Sequence, residues 1–316
     1  MKALLSILLK LSASCLALCL LLSALPARAG RGDPWGTGAA VSVLSDDNVT
    51  RAAAGDARED NAVQLRADAY YSFDFSLNHS LIVTGHVLDE SYRDFDGISS
   101  LQAGLEAEYR FRTRRGFGAP VYSFYVSDTQ ADYETDNRDG ATLEYGLRLR
   151  RQYTDRIALA AGAAHSERTA EGRVFDLEQA RYYAQLDYAV PNLFQAYLAY
   201  HYIDGDVYSI SPVTPAAYGG DPDFYEATEL DPAFNGARPW WAYRLDARTD
   251  VLRLGFNMAF DGDNAIDIAV DNIGSETKNR PEYNSGTSGY SSGSDWYGSS
   301  LTYDATVITA TYLHRF

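Results

Sequence analysis

Charged residues recur at every second position along several stretches of this sequence, and they are the residues with chemistry to offer. Arg66 and Asp68 stand two apart. Glu106, Glu108, Arg110 and Arg112 keep the same spacing, as do Glu144, Arg148 and Arg150, and Arg181 and Asp187 share a phase farther on. Apolar residues occupy the alternate positions: Leu65, Ala67 and Ala69; Leu105, Ala107, Tyr109 and Phe111; Leu143, Tyr145, Leu147 and Leu149; Tyr182, Ala184, Leu186 and Tyr188. A period of two places the charges on one face of an extended strand and the apolar groups on the other. Guanidinium and carboxylate groups on a common wall can interlock as a structural network. Lining a water-filled space, they can instead form a polarised constriction that selects solutes.

Catalysis finds little to work with. The chain has 5 histidines: His79, His86, His165, His201 and His314. Ser166 follows His165 directly, so in a strand the two point to opposite faces and cannot act together. His86 and His201 have acids nearby but no surrounding nucleophile motif. No phosphate-binding glycine loop, dinucleotide fingerprint or zinc spacing occurs. No catalytic residue, cofactor or metal site is therefore assigned, and the ten charged positions Arg66, Asp68, Glu106, Glu108, Arg110, Glu144, Arg148, Arg150, Arg181 and Asp187 are the candidate functional residues.

About twelve strands are predicted to carry these residues: 35–44, 62–75, 80–92, 101–112, 120–132, 141–153, 156–167, 179–190, 193–203, 243–260, 265–273 and 300–316. The phase of the tenth slips near Asp250–Leu252, which predicts a bulge or an extension beyond a membrane. Short connections, such as Leu77-Asn78, Thr154-Asp155 and Pro191-Asn192, take turns with long ones: 45–61, 93–100, 133–140, 168–178, 204–242 and 274–299. Such alternation is the pattern of a transmembrane barrel with short turns at one end and outer loops at the other. Aromatic residues gather near the short turns, among them Tyr71, Phe73, Tyr109, Phe111, Tyr122, Tyr153, Phe260 and Phe316, as an interfacial girdle does. In that setting the charged face must point inward, because an Arg facing lipid near the midplane costs roughly 2–4 kcal/mol.

The bulk numbers agree. Lys2 and Lys10 precede an apolar run from Leu11 to Leu25, and Ala27 and Ala29 make a small-x-small cleavage signal. Residues 1–29 are read as a cleaved secretory signal peptide and 30–316 as one barrel domain. A lipoprotein signal fails on Ser12 and Leu18, which stand where Cys15 and Cys19 would need other residues. Both cysteines fall in the leader, so no disulfide or thiolate site remains. Formal net charge is −16, and the leader is basic, so the remainder is more acidic still. An acidic chain with no basic cluster argues against nucleic acid. No apolar run of membrane-helix length follows the leader.

The last stretch, Ser300–Phe316, lacks Gly and Pro and sets Ile308, Ala310, Tyr312, His314 and Phe316 on one face. It resembles the C-terminal strand of Gram-negative outer-membrane β-barrels, in which a terminal aromatic on an alternating apolar face is the assembly signal. The resemblance implies an all-β, transmembrane, antiparallel up-and-down barrel in the outer membrane of a Gram-negative bacterium, with both termini periplasmic. It implies outer-membrane lipid, lipopolysaccharide and the barrel assembly machinery as partners, and the charged strand faces and long outer loops point to a porin-like channel for small polar solutes. A non-conducting structural, surface-interaction or assembly barrel is the alternative, and a barrel lipase or protease lacks its motif. Val41–Arg51 is similar to the opening of the barrel domain of surface lipoprotein assembly modifiers, although the helical repeat domain of those proteins is not read here. The outer loops are expected to be mobile. Their acids (Asp46, Asp47, Asp56, Glu59 and Asp60; Asp204, Asp206, Asp221, Asp223, Glu226 and Glu229) are expected to be solvated, with Ca²⁺ binding or divalent bridging to lipopolysaccharide as competing readings. Trp240-Trp241 reads as a girdle or a folded-in loop before a sugar platform, and Tyr283–Tyr297 as a mobile loop.

Overall fold

The computed structural model describes residues 34–53, 55–191, 193–212, 227–234, 239–278 and 303–316. Among them, strands β1 (Trp35–Asp46), β2 (Asp60–Ser76), β3 (His79–Tyr92), β4 (Ser100–Arg112), β5 (Val121–Tyr133), β6 (Gly140–Gln152), β7 (Ile157–Ala170), β8 (Leu177–Val190), β9 (Phe194–Ser211), β10 (Ala227–Leu230), β11 (Trp241–Ala259), β12 (Asn264–Thr277) and β13 (Tyr303–Arg315) form a single sheet. Neighbours along the chain pair antiparallel from β1 to β9; β9 then pairs with β11, and β11 with β12. The last strand lies between β12 and β1, with Gly38 opposite Arg315 and Asp46 opposite Val307, and this seam closes the ring. Twelve strands make the barrel wall. The thirteenth, β10, pairs only with the start of β11, opposite Trp241–Arg244. Closure leaves no sheet edge along the wall, so the backbone groups are satisfied within it, as a membrane requires.

The alternation read in the sequence sorts the two faces. Val41, Leu105, Leu147, Leu186, Leu254 and Ile308 stand exposed on the convex side, Leu147 keeping 61 % of its surface. A continuous apolar band of that kind is not compatible with water; it fits a lipid core. Glu108, Asp187 and Asp271 lie on the other side, buried, in phase with the remaining charges.

The suggested bulge near Asp250–Leu252 is not there. The pairing of β11 with β12 runs unbroken from Ala247 to Ala259, and with β9 from Trp241 to Asn257. Asp250 and Leu252 share the outward face, and the Asp250 carboxylate accepts from the Tyr200 hydroxyl. The apolar pattern breaks because this 19-residue strand passes out of the apolar band, not because its register changes. Among the described residues the register shifts beside a short turn, between Asp74 and Ser76.

The short turn after β11 is held by Asp261, which accepts from the backbone N–H groups of Asp263 and Asn264 (2.8 Å each) and from the Asn264 side chain. The backbone donor of Asp263, foremost, and the Asn264 groups hold its carboxyl below the usual carboxylate range. A depressed carboxyl contributes above its unfolded value and loses that contribution as pH falls through the folded one. Amide-exchange protection at Asp263 and Asn264 should therefore fall at acid pH, below the ordinary Asp range. Asp261→Ala should remove the pH dependence, and unchanged titration of exchange in that variant would refute the assignment.

Candidate functional site

The inner wall carries a linked set of charged pairs. Small residues decide where they fit. On β5 Tyr125 is buried against Gly146 of β6, where an added Cβ would sit 2.8 Å from the ring. Its hydroxyl donates to Glu144 (2.6 Å), and the Arg148 guanidinium lies 3.6 Å from its ring centroid, a cation–π contact. Arg148 also donates to both oxygens of Glu106 (3.3 and 3.1 Å), reaching across β5 from β6 to β4. Glu108 pairs with Arg110. Arg181 donates to both Glu144 oxygens (2.8 Å each), and Arg150 approaches Asp187 to 3.0 Å while Gln185 donates to the same carboxylate. Three further tyrosines repeat this close approach of ring to glycine: Tyr70 lies over Gly36, Tyr183 over Gly162, and Tyr197 over Gly255.

Of the ten candidate positions, eight are brought together in this way. Arg66 and Asp68 are not: they lie on β2 in the same inward phase, beside His86, and make no side-chain hydrogen bond or ion pair with the described residues. The sequence reading missed a pair of the same kind, Arg253 with Asp271, joined through two contacts of 2.6 Å. It also missed Asp267, which accepts from the Tyr197 hydroxyl at 2.8 Å. Both sit on β11 and β12, where the apparent slip near Asp250 obscured the phase; extending the period of two through Arg253 would have found them. His165 is outward, against Tyr145 and Glu167, and Ser166 faces the other way. Among the described residues no group of three His, Cys, Asp or Glu side chains is placed to hold a metal ion.

The long-loop end was expected to be mobile, and its acids solvated. The described parts are packed. Val49, Ile98, Val174, Phe175, Ile210 and Phe234 are buried together, with Phe95, Tyr208 and Trp240 against them. These residues come from the connections after β1, β3, β7 and β9 and from the end of β9. The connection after β5 adds Arg138, whose guanidinium lies 4.3 Å from the Phe175 centroid and 2.5 Å from Asp231. Both partners are almost wholly buried. Burial opposes the Arg138 charge, but Asp231 and the Tyr208 hydroxyl outweigh it and hold the guanidinium above its ordinary range. The connection from β9 to β11 touches four others: Trp240 lies under Arg58, Phe234 packs on Phe95, Asp231 pairs with Arg138, and Glu229 accepts from Arg173 N–H. Through residues 227–234 and 239–240 it thus joins these connections into a cap at the long-loop end.

Several loop acids serve this packing. Asp60 is buried and accepts from the backbone N–H groups of Asn61, Asp94 and Phe95. Asp46 belongs to β1 and binds Arg51 at 2.6 Å, and Asp56 accepts from Ser211. Solvation was the wrong expectation for Asp46 and Asp60, which are buried and accept from backbone N–H groups that tight loops leave without a ladder partner. Asn48, within the Val41–Arg51 stretch, donates to Ala52 O and Asp304 O and ties this loop to β13. Trp240 is folded in, 6.1 Å from Phe234 and under Arg58. Asp221, Asp223, Glu226 and Tyr283–Tyr297 lie outside the described residues.

No family model matches the chain, and no curated protein matches it in sequence. Solved structures do resemble it in shape. An outer-membrane channel from Pseudomonas putida F1 superposes with a TM-score of 0.51 at 10 % identity, covering 92 % of this chain and 100 % of that one. The KdgM porin, solved in complex with disordered oligogalacturonate, gives a TM-score of 0.45 at 10 % identity (88 % and 99 % coverage), and the toluene transporter TodX of Pseudomonas putida gives 0.40 at 9 % (93 % and 90 %). At such identities the likeness speaks for architecture alone. The closed ring, its apolar outer band and the likeness to the Pseudomonas putida F1 channel together make the fold that of an outer-membrane β-barrel.

Proposed function

We propose that this chain is an outer-membrane channel for small polar solutes whose outer mouth is closed by its own loops. The observation that carries the reading is accessible space inside the wall. Arg150 keeps 55 % of its side-chain surface although it points inward, and Arg253 keeps 45 %. A lumen filled by interlocked side chains would bury them, as it does in small barrels with packed interiors. The charged pairs thus stand along a water-filled passage, and the ten candidate residues line it. The leader at residues 1–29 directs export, both termini lie on the periplasmic side with the short turns, and the barrel assembly machinery inserts the chain into lipid and lipopolysaccharide.

The cap favours a second state in the same protein. With the outer mouth shut by Phe175, Phe234 and the Arg138–Asp231 pair, the barrel conducts only when the cap yields. In planar bilayers the purified protein should show rare openings, and the Arg138→Ala variant frequent ones. Silence in both, with folding verified by heat-dependent gel migration, would leave the non-conducting structural barrel standing.

A further inference from the structure

The charged pairs of the inner wall are unequal in a way that their formal count hides. Five guanidinium groups (Arg110, Arg148, Arg150, Arg181, Arg253) face six carboxylates (Glu106, Glu108, Glu144, Asp187, Asp267, Asp271). By count this wall leans acidic, as does the whole chain at −16. By exposure it does not. Glu108 keeps 6 % of its side-chain surface and its partner Arg110 keeps 45 %; Asp187 keeps 4 % against 55 % for Arg150; Asp271 keeps 10 % against 45 % for Arg253. Arg181 and Arg148 lean the same way, less strongly.

The cause is geometric. A carboxylate on a short stem stays against the strand that bears it, whereas the long arginine stem carries its charge toward the axis. The carboxylates accept from neighbours along the wall: Glu144 from Tyr125 and Asp187 from Gln185. The guanidinium groups, having more donors than their partners use, present the remainder to the lumen. Away from these pairs Arg66 and Arg112 are exposed while Asp68 is only partly so, and the exposed Asp74 near a short turn is the exception.

From this we infer that the lumen selects small anions bearing carboxylate or phosphate groups, which guanidinium recognises in bidentate geometry. The inference rests on the channel reading, and the test separates the two. Single-channel reversal potentials are measured across a potassium chloride gradient, for the wild type and in the Arg138→Ala background where openings are frequent. Preference for chloride over potassium is expected, together with block by citrate and inorganic phosphate. Arg150→Gln with Arg253→Gln should bring the permeability ratio at least halfway to unity and weaken the block. Arg150→Lys should retain most of the preference, and Asp187→Asn, which removes the carboxylate held by Arg150, should raise it. Conduction with cation preference, or a ratio indifferent to the two Arg→Gln changes in barrels that fold, would overturn anion selection while leaving the channel intact. Absence of any conductance would instead overturn the channel reading.

Discussion

Arg138→Ala should turn a barrel that rarely opens into one that opens readily. The substitution leaves Asp231 buried without its partner, and breaking a buried pair from one side costs about 3–5 kcal/mol. The cost falls on the capped state alone, because no strand pairing of the barrel wall involves either residue. Since about 1.4 kcal/mol is tenfold in an equilibrium, the ratio of open to capped protein should rise by roughly 10²-fold to a few thousandfold. Arg138 also spans the rings of Phe175, Tyr208 and Phe234, so lysine, with a compact charge and no planar face, should restore only part of the closure. Single-channel open probability reads this directly. The exposed Glu59→Gln on a neighbouring loop serves as the control and should leave gating alone. Equal open probability in Arg138→Ala and wild type would show that the cap is not the barrier.

Thr309→Pro should abolish the folded barrel. Thr309 faces Leu44 on β1 and Ala269 on β12, so it stands in a central strand on both sides of the closing seam. Proline there removes a ladder donor and is tolerated in sheets only at edges and bulges. No heat-shifted band should appear, either from membranes or after refolding in detergent. Phe316→Ala separates assembly from stability. Its backbone N–H donates to Thr37 O whatever the side chain, and its ring packs edge-on to His314. Refolding in detergent should survive, while the amount assembled in cells should fall severalfold if the terminal aromatic is read as a signal. Equal loss in both settings would make Phe316 a packing residue only.

Strand positions and the choice of inward residues were legible wherever alternation was strong. In β4, Leu105, Ala107, Tyr109 and Phe111 against Glu106, Glu108, Arg110 and Arg112 left only one phase compatible with lipid on one side. In β11 the same rule faltered, because Asp250 stands above the apolar band and looks like an error of phase. Partnerships across the wall were less legible. Arg148 meets Glu106 over an intervening strand only because Tyr125 lies close against it, and this depends on Gly146, whose role no periodicity reveals. The cap was hidden altogether. Arg138 and Asp231 are separated by 93 residues and belong to connections whose composition reads as polar loop. Their burial is produced by Phe175 and Phe234 arriving from elsewhere, a long-range circumstance without local signature.

The three tyrosines laid over Gly146, Gly162 and Gly255 bear on a different property, the size of what can pass. Each ring rests against the wall because the adjoining strand has no side chain at that point. At Gly255 an added methyl group would meet the Tyr197 ring alone and push it toward the axis, whereas at Gly146 and Gly162 it would also meet the backbone oxygens of Ala163 and Leu147 at 2.6 Å and strain the wall itself. Under the proposed channel reading, the width beside Tyr197 is therefore set by Gly255, a residue that brings nothing into the lumen.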